Sequence, residues 1–359
     1  MTVRILQGDC RDVLRTLPDA SVHCVVTSPP YWGLRDYGVE GQIGLEASVH
    51  AWVAEMVAVF SEVHRVLRDD GTLWLNLGDS YAGSRCGGDT GKSSIDGSTE
   101  AQDAAKDAKR RMTESRRRDN APIPRSDIRC AGIKPKEMIG QPWRVAFALS
   151  AAGWYLRQDI IWSKPTPMPE SVSDRCTKAH EYLFLLAKSP RYWFDADAFA
   201  EPRVSMHDAG VAGWAHGDVP HDLVTHNRDK GNAKTFRGGQ YTNGNKFDNS
   251  HANNRDSTGN AAANKTTRNR RSVWEIATQP FAGSHFATFP PALIEPCILA
   301  GCPKGGVVLD PFGGAGTTGM VADRHGRDAI LIELNPDYAA MAQQRIVNDA
   351  PMFAKVATA

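Results

Sequence analysis

Residues 307–319 read VVLDPFGGAGTTG. Two valines and a leucine run into Asp310-Pro311-Phe312, and a glycine-rich turn follows. The order reads as a strand, a tight turn and the start of a helix. Gly314-Ala315-Gly316-Thr317-Thr318-Gly319 fits G-x-G-x-x-G, and Glu333 sits about twenty residues further on, near the end of the next apolar run. That is the dinucleotide fingerprint with its ribose-binding acid. Glycines in such a turn chiefly let the backbone approach a ligand, so the match alone does not name the ligand. Asp310 narrows the choice. A carboxylate at the strand tip repels a pyrophosphate and attracts an ammonium group.

The residues after Glu333 are too few to complete such a sheet, and the N-terminal segment can supply the missing strands. The order becomes VVLDPF, AILIEL, VRILQGD, HCVVTSPPY, with Asp310, Glu333, Asp9 and Ser28 at successive carboxyl tips. A single acid at a strand end is ordinarily a solvated loop residue. Four polar tips beside a glycine-rich turn predict a crevice, where open α/β sheets bind ligands. The expected fold is therefore α/β: a circularly permuted Rossmann-like sheet with helices on both faces, plus polar inserts.

The last of those strands ends in TSPPYW, residues 27–32. Two prolines supply no N–H and fix φ, so the strand SVHCVV cannot continue through them. The turn is stiff, and it carries Tyr31 and Trp32 at the edge where the ligand is expected. A bare Pro-Pro also fits a plain strand-ending loop.

The chain has 359 residues, enough for one large domain or two smaller ones, and its 42 Lys and Arg nearly balance 41 Asp and Glu. No whole-molecule field advertises a nucleic acid, so such a partner must be met by local patches. Seven cysteines show no C-x-x-C pair and no zinc spacing, and they read as reduced thiols, with Cys10 and Cys24 in the core. The N-terminus lacks an apolar signal region and no run approaches a membrane span, so a soluble cytoplasmic protein is expected.

RDVLRTL and HAWVAEMVAVFSEVHRVL have helical spacing, and GTLWLNLGDSY reads as a strand. QPWRVAFALSAAGWYLRQDIIWSKP reads as a helix and then a strand. HEYLFLLAKSPRYWF holds another strand and a hairpin turn at Ser189-Pro190. The chain divides into one half of the core at 1–82, a basic insert at 83–127, a core continuation at 128–200, a polar segment at 201–271 and the glycine-rich half at 272–359. Both inserts are too poor in large apolar residues to build a core of their own.

The set of motifs, in this order, resembles the β class of DNA amino-methyltransferases, which modify the exocyclic nitrogen of cytosine or adenine. The resemblance covers nearly all of the ordered chain. TSPPYW resembles the catalytic S/D/N-P-P-Y/F/W motif, Asp310 to Gly316 the S-adenosylmethionine loop, and Glu333 the ribose-binding acid. HFATFP, residues 285–290, resembles the segment at the methionine end of that cofactor. LNLGDSY, DIIWSKP and AHEYLFLLAKS resemble the remaining core motifs.

The resemblance implies an S-adenosylmethionine-dependent sheet with no metal. Asp9, Asp310, Phe312, Gly314, Gly316, Thr317, Thr318, Glu333, His285, Thr288 and Phe289 would surround the cofactor. Ser28, Pro29, Pro30 and Tyr31 would be catalytic. Trp32, Lys109, Arg110 and Arg111 would meet the target base or DNA, and 201–271 would hold the target-recognition region. The Ser28 hydroxyl and Pro29 carbonyl would accept the amine hydrogens while Tyr31 stacks on a base flipped from the duplex. Implied partners are double-stranded DNA and a cognate restriction endonuclease, in a bacterial or phage-encoded setting, with a monomer or homodimer and no membrane.

Serine at position 28 favours cytosine N4, because S-P-P-Y is commoner among those enzymes. Adenine-N6 methylation, methylation of RNA or a protein amide, and an NAD-dependent oxidoreductase built on the glycine motif stay open. The Lys109 cluster is either a solvated loop or a grip on phosphates. His180-Glu181 is either an acid/base pair or a support for the target pocket.

Overall fold

A computed structural model describes residues 1–82, 133–134, 136–202, 267–279, 289–351 and 355–358. Lys109, Arg110, Arg111, His285, Thr288 and most of 201–271 lie outside the described residues. The chain divides into a larger unit, Met1–Phe199 with Arg271–Ala359, and a smaller one, Ala200–Arg270. In the smaller unit β6 (Glu201–Pro202) and β7 (Thr267–Arg268) pair antiparallel, and Arg268 Nε donates to Glu201 Oε1 at 2.8 Å.

The larger unit runs β1 (Thr2–Gln7), α1 (Cys10–Thr16), β2 (Val22–Thr27), α2 (Val49–Val66), β3 (Leu67–Leu77), α3 (Gln141–Ala151), β4 (Tyr155–Ser163), β5 (His180–Ala187) and α4 (Ala196–Phe199). It resumes with β8 (Val273–Glu275), α5 (Pro291–Gly301), β9 (Val307–Asp310), α6 (Thr317–Arg324), β10 (Asp328–Glu333), α7 (Pro336–Asp349) and β11 (Lys355–Thr358). Local chemistry sets the boundaries. Ser48 caps α2 by accepting from Ala51 N at 3.2 Å, and Val49, Trp52, Met56, Val59, Phe60 and Val63 form its buried stripe. Asn335 caps α7, with Pro336 in its first turn.

Among the described residues nine strands form one sheet, in the order β11-β1-β10-β9-β2-β3-β5-β4-β8. All neighbours are parallel except the two pairs that β5 makes with β3 and β4. The glycine-rich half and the N-terminal half join as expected, but β2 does not sit beside β1. It pairs with β9, Cys24 opposite Val308 and Val25 opposite Leu309.

The helices explain this correction. Leu14 of α1, Trp52 and Phe60 of α2 and Leu149 of α3 pack on one face. Ile298 of α5, Met320 of α6 and Ile346 of α7 pack on the other. Right-handed crossovers on opposite faces must travel in opposite directions along a sheet. From β9 the chain therefore moves to β10, and from β1 it passes over β10 and β9 to reach β2. The switch point falls between β9 and β2.

The predicted hairpin at Ser189-Pro190 is absent. Both edges of β5 are already paired, so the residues after it cannot add a strand. They bend into α4 instead and place Phe194 and Phe199 with ring centroids 6.4 and 5.8 Å from Trp74. Because β5 is antiparallel, its first residues, His180 and Glu181, reach the same sheet edge as the carboxyl ends of β2, β3, β4 and β9. Cys10 and Cys24 are buried free thiols, as expected. Among the described residues no helix is long and apolar enough to cross a membrane.

Candidate active site

A cavity of about 970 Å3 opens along the carboxyl edge of the sheet, and Asp9, Ser28, Asp310 and Glu333 all line it. On the β9–β10 side, Asp310 is 1 % exposed. Its Oδ1 accepts from Thr27 Oγ1 at 2.6 Å and from Phe312 N at 3.0 Å, and its Oδ2 accepts from Thr318 Oγ1 at 2.7 Å. Burial outweighs these donors and pushes the carboxyl up to about 6. Glu333 accepts from Gly314 N at 2.7 Å and from Asn335 N at 2.9 Å. Burial also raises its pKa. The turn is thus built around the two carboxylates, with Phe312 and Gly314 on the cavity wall.

Of the described residues expected around a cofactor, Thr318 and Gly316 are the two that do not line the cavity. Thr318 is fully buried and braces Asp310 from behind, away from the cavity lining. Thr317 lines the cavity, but its hydroxyl accepts from Arg345 Nη1 at 2.8 Å. Gly316 caps α6 at φ +75°, and a Cβ there would lie 2.9 Å from Ala342 Cβ. It is a packing glycine that lets α6 meet α7, and Gly313 stands beside Gly314 on the wall in its place. Asp9 lines the cavity while capping α1, accepting from Arg11 N at 2.9 Å and from Arg11 Nη2 at 2.5 Å. The Arg11 guanidinium holds its carboxyl below the usual range. Arg11 also donates to Gly41 O at 2.8 Å, which ties down the loop after TSPPYW. Phe289 is half-buried and lines the cavity.

On the β2–β3 side, Tyr31 donates to Glu181 Oε2 at 2.9 Å, and its oxygen lies 3.3 Å from Ser28 Oγ. Burial, with Glu181 next to it, pushes the Tyr31 phenol well above its ordinary value, so it remains a donor. Glu181 pairs through its other oxygen with Lys164, whose ammonium lies 4.4 Å from the Trp162 ring centroid. Glu181 therefore supports Tyr31. A Cβ at Gly78 would lie 2.7 Å from Tyr31 Cε2, so the ring rests against the end of β3. The Pro30 carbonyl accepts from Trp52 Nε1 at 3.1 Å, which fixes the turn to α2.

Trp32 is a correction. It is 2 % exposed and packs into the core, with its indole N–H donating to Glu46 O at 2.8 Å and its backbone N donating to Gln141 Oε1 at 2.9 Å. It offers no face to a base and anchors the loop instead. Sequence inspection also missed Tyr37 and Tyr338, which line the cavity edge-to-face at 6.4 Å, and the Lys164–Glu181 pair. Asp79, in LNLGDSY, caps α3 by accepting from Gly140 N and Gln141 N at 2.9 and 3.1 Å. Of these, only Asp79 carried a local signal, being a carboxylate at the end of a strand.

A family profile described as DNA methylase matches residues 22–344. The Type II methyltransferase M.Cfr9I of Citrobacter freundii is 41 % identical over 355 residues, covering 99 % of this chain and 91 % of the relative. M.SmaI of Serratia marcescens, also named a Type II methyltransferase, is 40 % identical over 344 residues, covering 96 % and 90 %. Two solved structures share the fold. The putative DNA modification methylase TTHA0409 of Thermus thermophilus, in complex with S-adenosyl-L-methionine, aligns with TM-score 0.53 at 22 % identity over 99 % of both chains. PvuII DNA methyltransferase (cytosine-N4-specific) aligns with TM-score 0.53 at 16 % identity over 99 % of this chain and 96 % of that one. A permuted sheet, a proline-stiffened S-P-P-Y turn and a two-carboxylate crevice in one cavity agree with these matches, and the chain belongs to the N6/N4 DNA methylase family of DNA amino-methyltransferases.

Proposed function

We propose that the protein transfers a methyl group from S-adenosylmethionine to the exocyclic N4 of a cytosine flipped out of double-stranded DNA. The observation that carries this is a neutral hydroxyl, Ser28, joined to Tyr31 and Glu181 in the cavity that also holds Asp310 and Glu333. The residues fit the cofactor. Asp310 is a buried carboxylate without a cationic side chain among its hydrogen-bond partners, which suits an α-ammonium group. Glu333 spends two acceptor sites on Gly314 and Asn335, and a carboxylate has about four, leaving capacity for ribose hydroxyls. Phe289, Phe312 and Tyr338 supply apolar wall. When bound, the sulfonium of S-adenosylmethionine supplies an electrophilic methyl group.

The remaining work belongs to the chain. Ser28 Oγ and the Pro29 carbonyl accept the two amine hydrogens and favour a more tetrahedral nitrogen, whose lone pair is then less delocalised into the ring. Tyr31, held by Glu181 and by contact with Gly78, fixes the ring against which the base stacks. Orientation of the two reactants is the main contribution to rate. The nitrogen sheds one proton on methylation; Ser28 takes it while its own proton passes to Tyr31 and that of Tyr31 to the Glu181 carboxylate, along hydrogen bonds 3.3 and 2.9 Å long.

The relatives named Type II methyltransferases support a site-specific modification enzyme working beside a cognate endonuclease in a bacterial cytoplasm. The test is methylation of unmodified plasmid DNA with isotopically labelled S-adenosylmethionine, followed by nucleoside mass spectrometry. Labelled N4-methylcytosine is expected. Labelled N6-methyladenine overturns the base assignment, and no labelled nucleoside overturns the DNA substrate. Calorimetric titration should show binding of S-adenosylmethionine and none of NAD.

A further inference from the structure

We propose that Met168 is a wedge that enters the DNA base stack and fills the space vacated by the flipped base. This rests on the duplex-DNA substrate proposed above.

The loop joining β4 to β5, residues 164–179, leaves the sheet at the same edge as Tyr31 and Glu181. Its base is closed by Lys164 N donating to Ala179 O at 2.7 Å. Its descending limb is fastened at several points. Arg175 pairs with Glu170 at 2.5 Å, and its guanidinium lies 3.8 Å from the Tyr81 ring centroid. Glu170 also accepts from Lys178 N at 3.3 Å, and Lys136 pairs with Asp174 at 2.9 Å. The segment from Glu170 to Lys178 is thus tied to itself and to Tyr81 and Lys136.

Pro167-Met168-Pro169 lies on the ascending limb of that loop, just before the fastened segment, and all three residues line the cavity. Two prolines restrict the backbone on either side of the methionine, so its Cα is held in few conformations before any partner arrives. Met168 is 87 % exposed, more than any other large hydrophobic among the described residues. The chain thus holds an apolar side chain out in water, beside the cavity that is to receive the base, on a proline-restricted backbone. Proteins that unstack DNA insert apolar wedges, methionine among them, between base steps. A thioether chain is unbranched and polarizable, which suits contact with base faces. Extruding a paired base is opposed by the loss of stacking and pairing, and a wedge offsets part of that loss.

The experiment uses the full-length protein and a duplex carrying the site mapped by methylation of plasmid DNA. The target base is either paired or placed opposite an abasic position, and single-turnover rates are measured for the wild type, Met168→Gly and Met168→Leu. Met168→Gly should slow methylation of the paired duplex about tenfold or more and fall within about threefold of wild type on the abasic duplex, where flipping is easier. Met168→Leu should stay close to wild type on both. Fluorescence of 2-aminopurine at the target position, read with S-adenosylhomocysteine present, should drop for Met168→Gly on the paired duplex alone. An unchanged rate on the paired duplex overturns the proposal, as does equal slowing on both duplexes. A wild type that binds S-adenosylmethionine but leaves plasmid DNA unmethylated at the mapping step overturns the DNA reading and this inference with it.

Discussion

Replacing Asp310 by asparagine should make the cofactor-free protein more stable and the enzyme worse. Burial raises this carboxyl from its ordinary 3.8 to about 6. A group that binds its proton more tightly when folded stabilises the fold fully below pH 3.8, and that contribution is lost as pH rises through 6. At 1.36 kcal/mol for each pH unit, the ionised carboxylate lowers folding stability by about 3 kcal/mol at pH 7 and above.

Asparagine keeps the geometry. Its oxygen can take the Oδ1 place, accepting from Thr27 and Phe312, and its amide can donate to Thr318 Oγ1. The Thr318 proton then turns to Val26 O, already 3.4 Å away. Asp310→Asn should therefore exceed wild type by about 3 kcal/mol at pH 8, with the difference vanishing toward pH 4. Urea denaturation of the cofactor-free protein at pH 4, 6 and 8 measures it, and titration with S-adenosylmethionine should show weakened binding. A difference that does not change with pH, or a variant less stable than wild type at pH 8, would refute the assignment of Asp310 as a carboxylate strained by burial.

Tyr31→Phe removes the hydroxyl bonded to Glu181 and adjacent to Ser28. It should lower kcat by up to about a hundredfold through misplacement, with S-adenosylmethionine affinity unchanged; calorimetry showing lost cofactor affinity would contradict the division of the cavity. Gly316→Ala places a Cβ 2.9 Å from Ala342 at φ +75° and should destabilise the fold by about 2 to 4 kcal/mol. A thermal or urea midpoint at or above wild type would count against Gly316 as a packing glycine.

Strand and helix identities were legible where the hydrophobic period was strong, as in α2, or where a β-branched run was continuous, as in β2. Neighbour relations were less so. Chain order places β2 after β1, but the opposed crossovers that carry it to β9 depend on which face each helix covers, and local sequence does not record that choice. Short edge strands such as β8 and β11 lack enough residues to show a period. The candidate site was legible where chemistry sits at a strand tip: Ser28, Asp310 and Glu333 all line one cavity. Trp32 was misread because an aromatic beside a catalytic-looking turn looks the same whether it faces the ligand or the core. The Lys164–Glu181–Tyr31 cluster was invisible as a unit, since only the antiparallel course of β5 brings Glu181 to Tyr31, 150 positions away.

The placement of β1 also bears on the timing of folding. Val3 to Gln7 pair with Ala329 to Glu333, and Thr2 N donates to the side chain of Asp328, 326 positions later. On the ribosome, at about 5–20 residues per second, β1 waits tens of seconds for its neighbours. Contacts of such sequence separation carry a large loop-closure entropy and form late. A nascent chain that has displayed Ser28 and Tyr31 still lacks the Asp310 and Glu333 half of the crevice, so the S-P-P-Y turn and the two-carboxylate wall come together only when synthesis has passed β10.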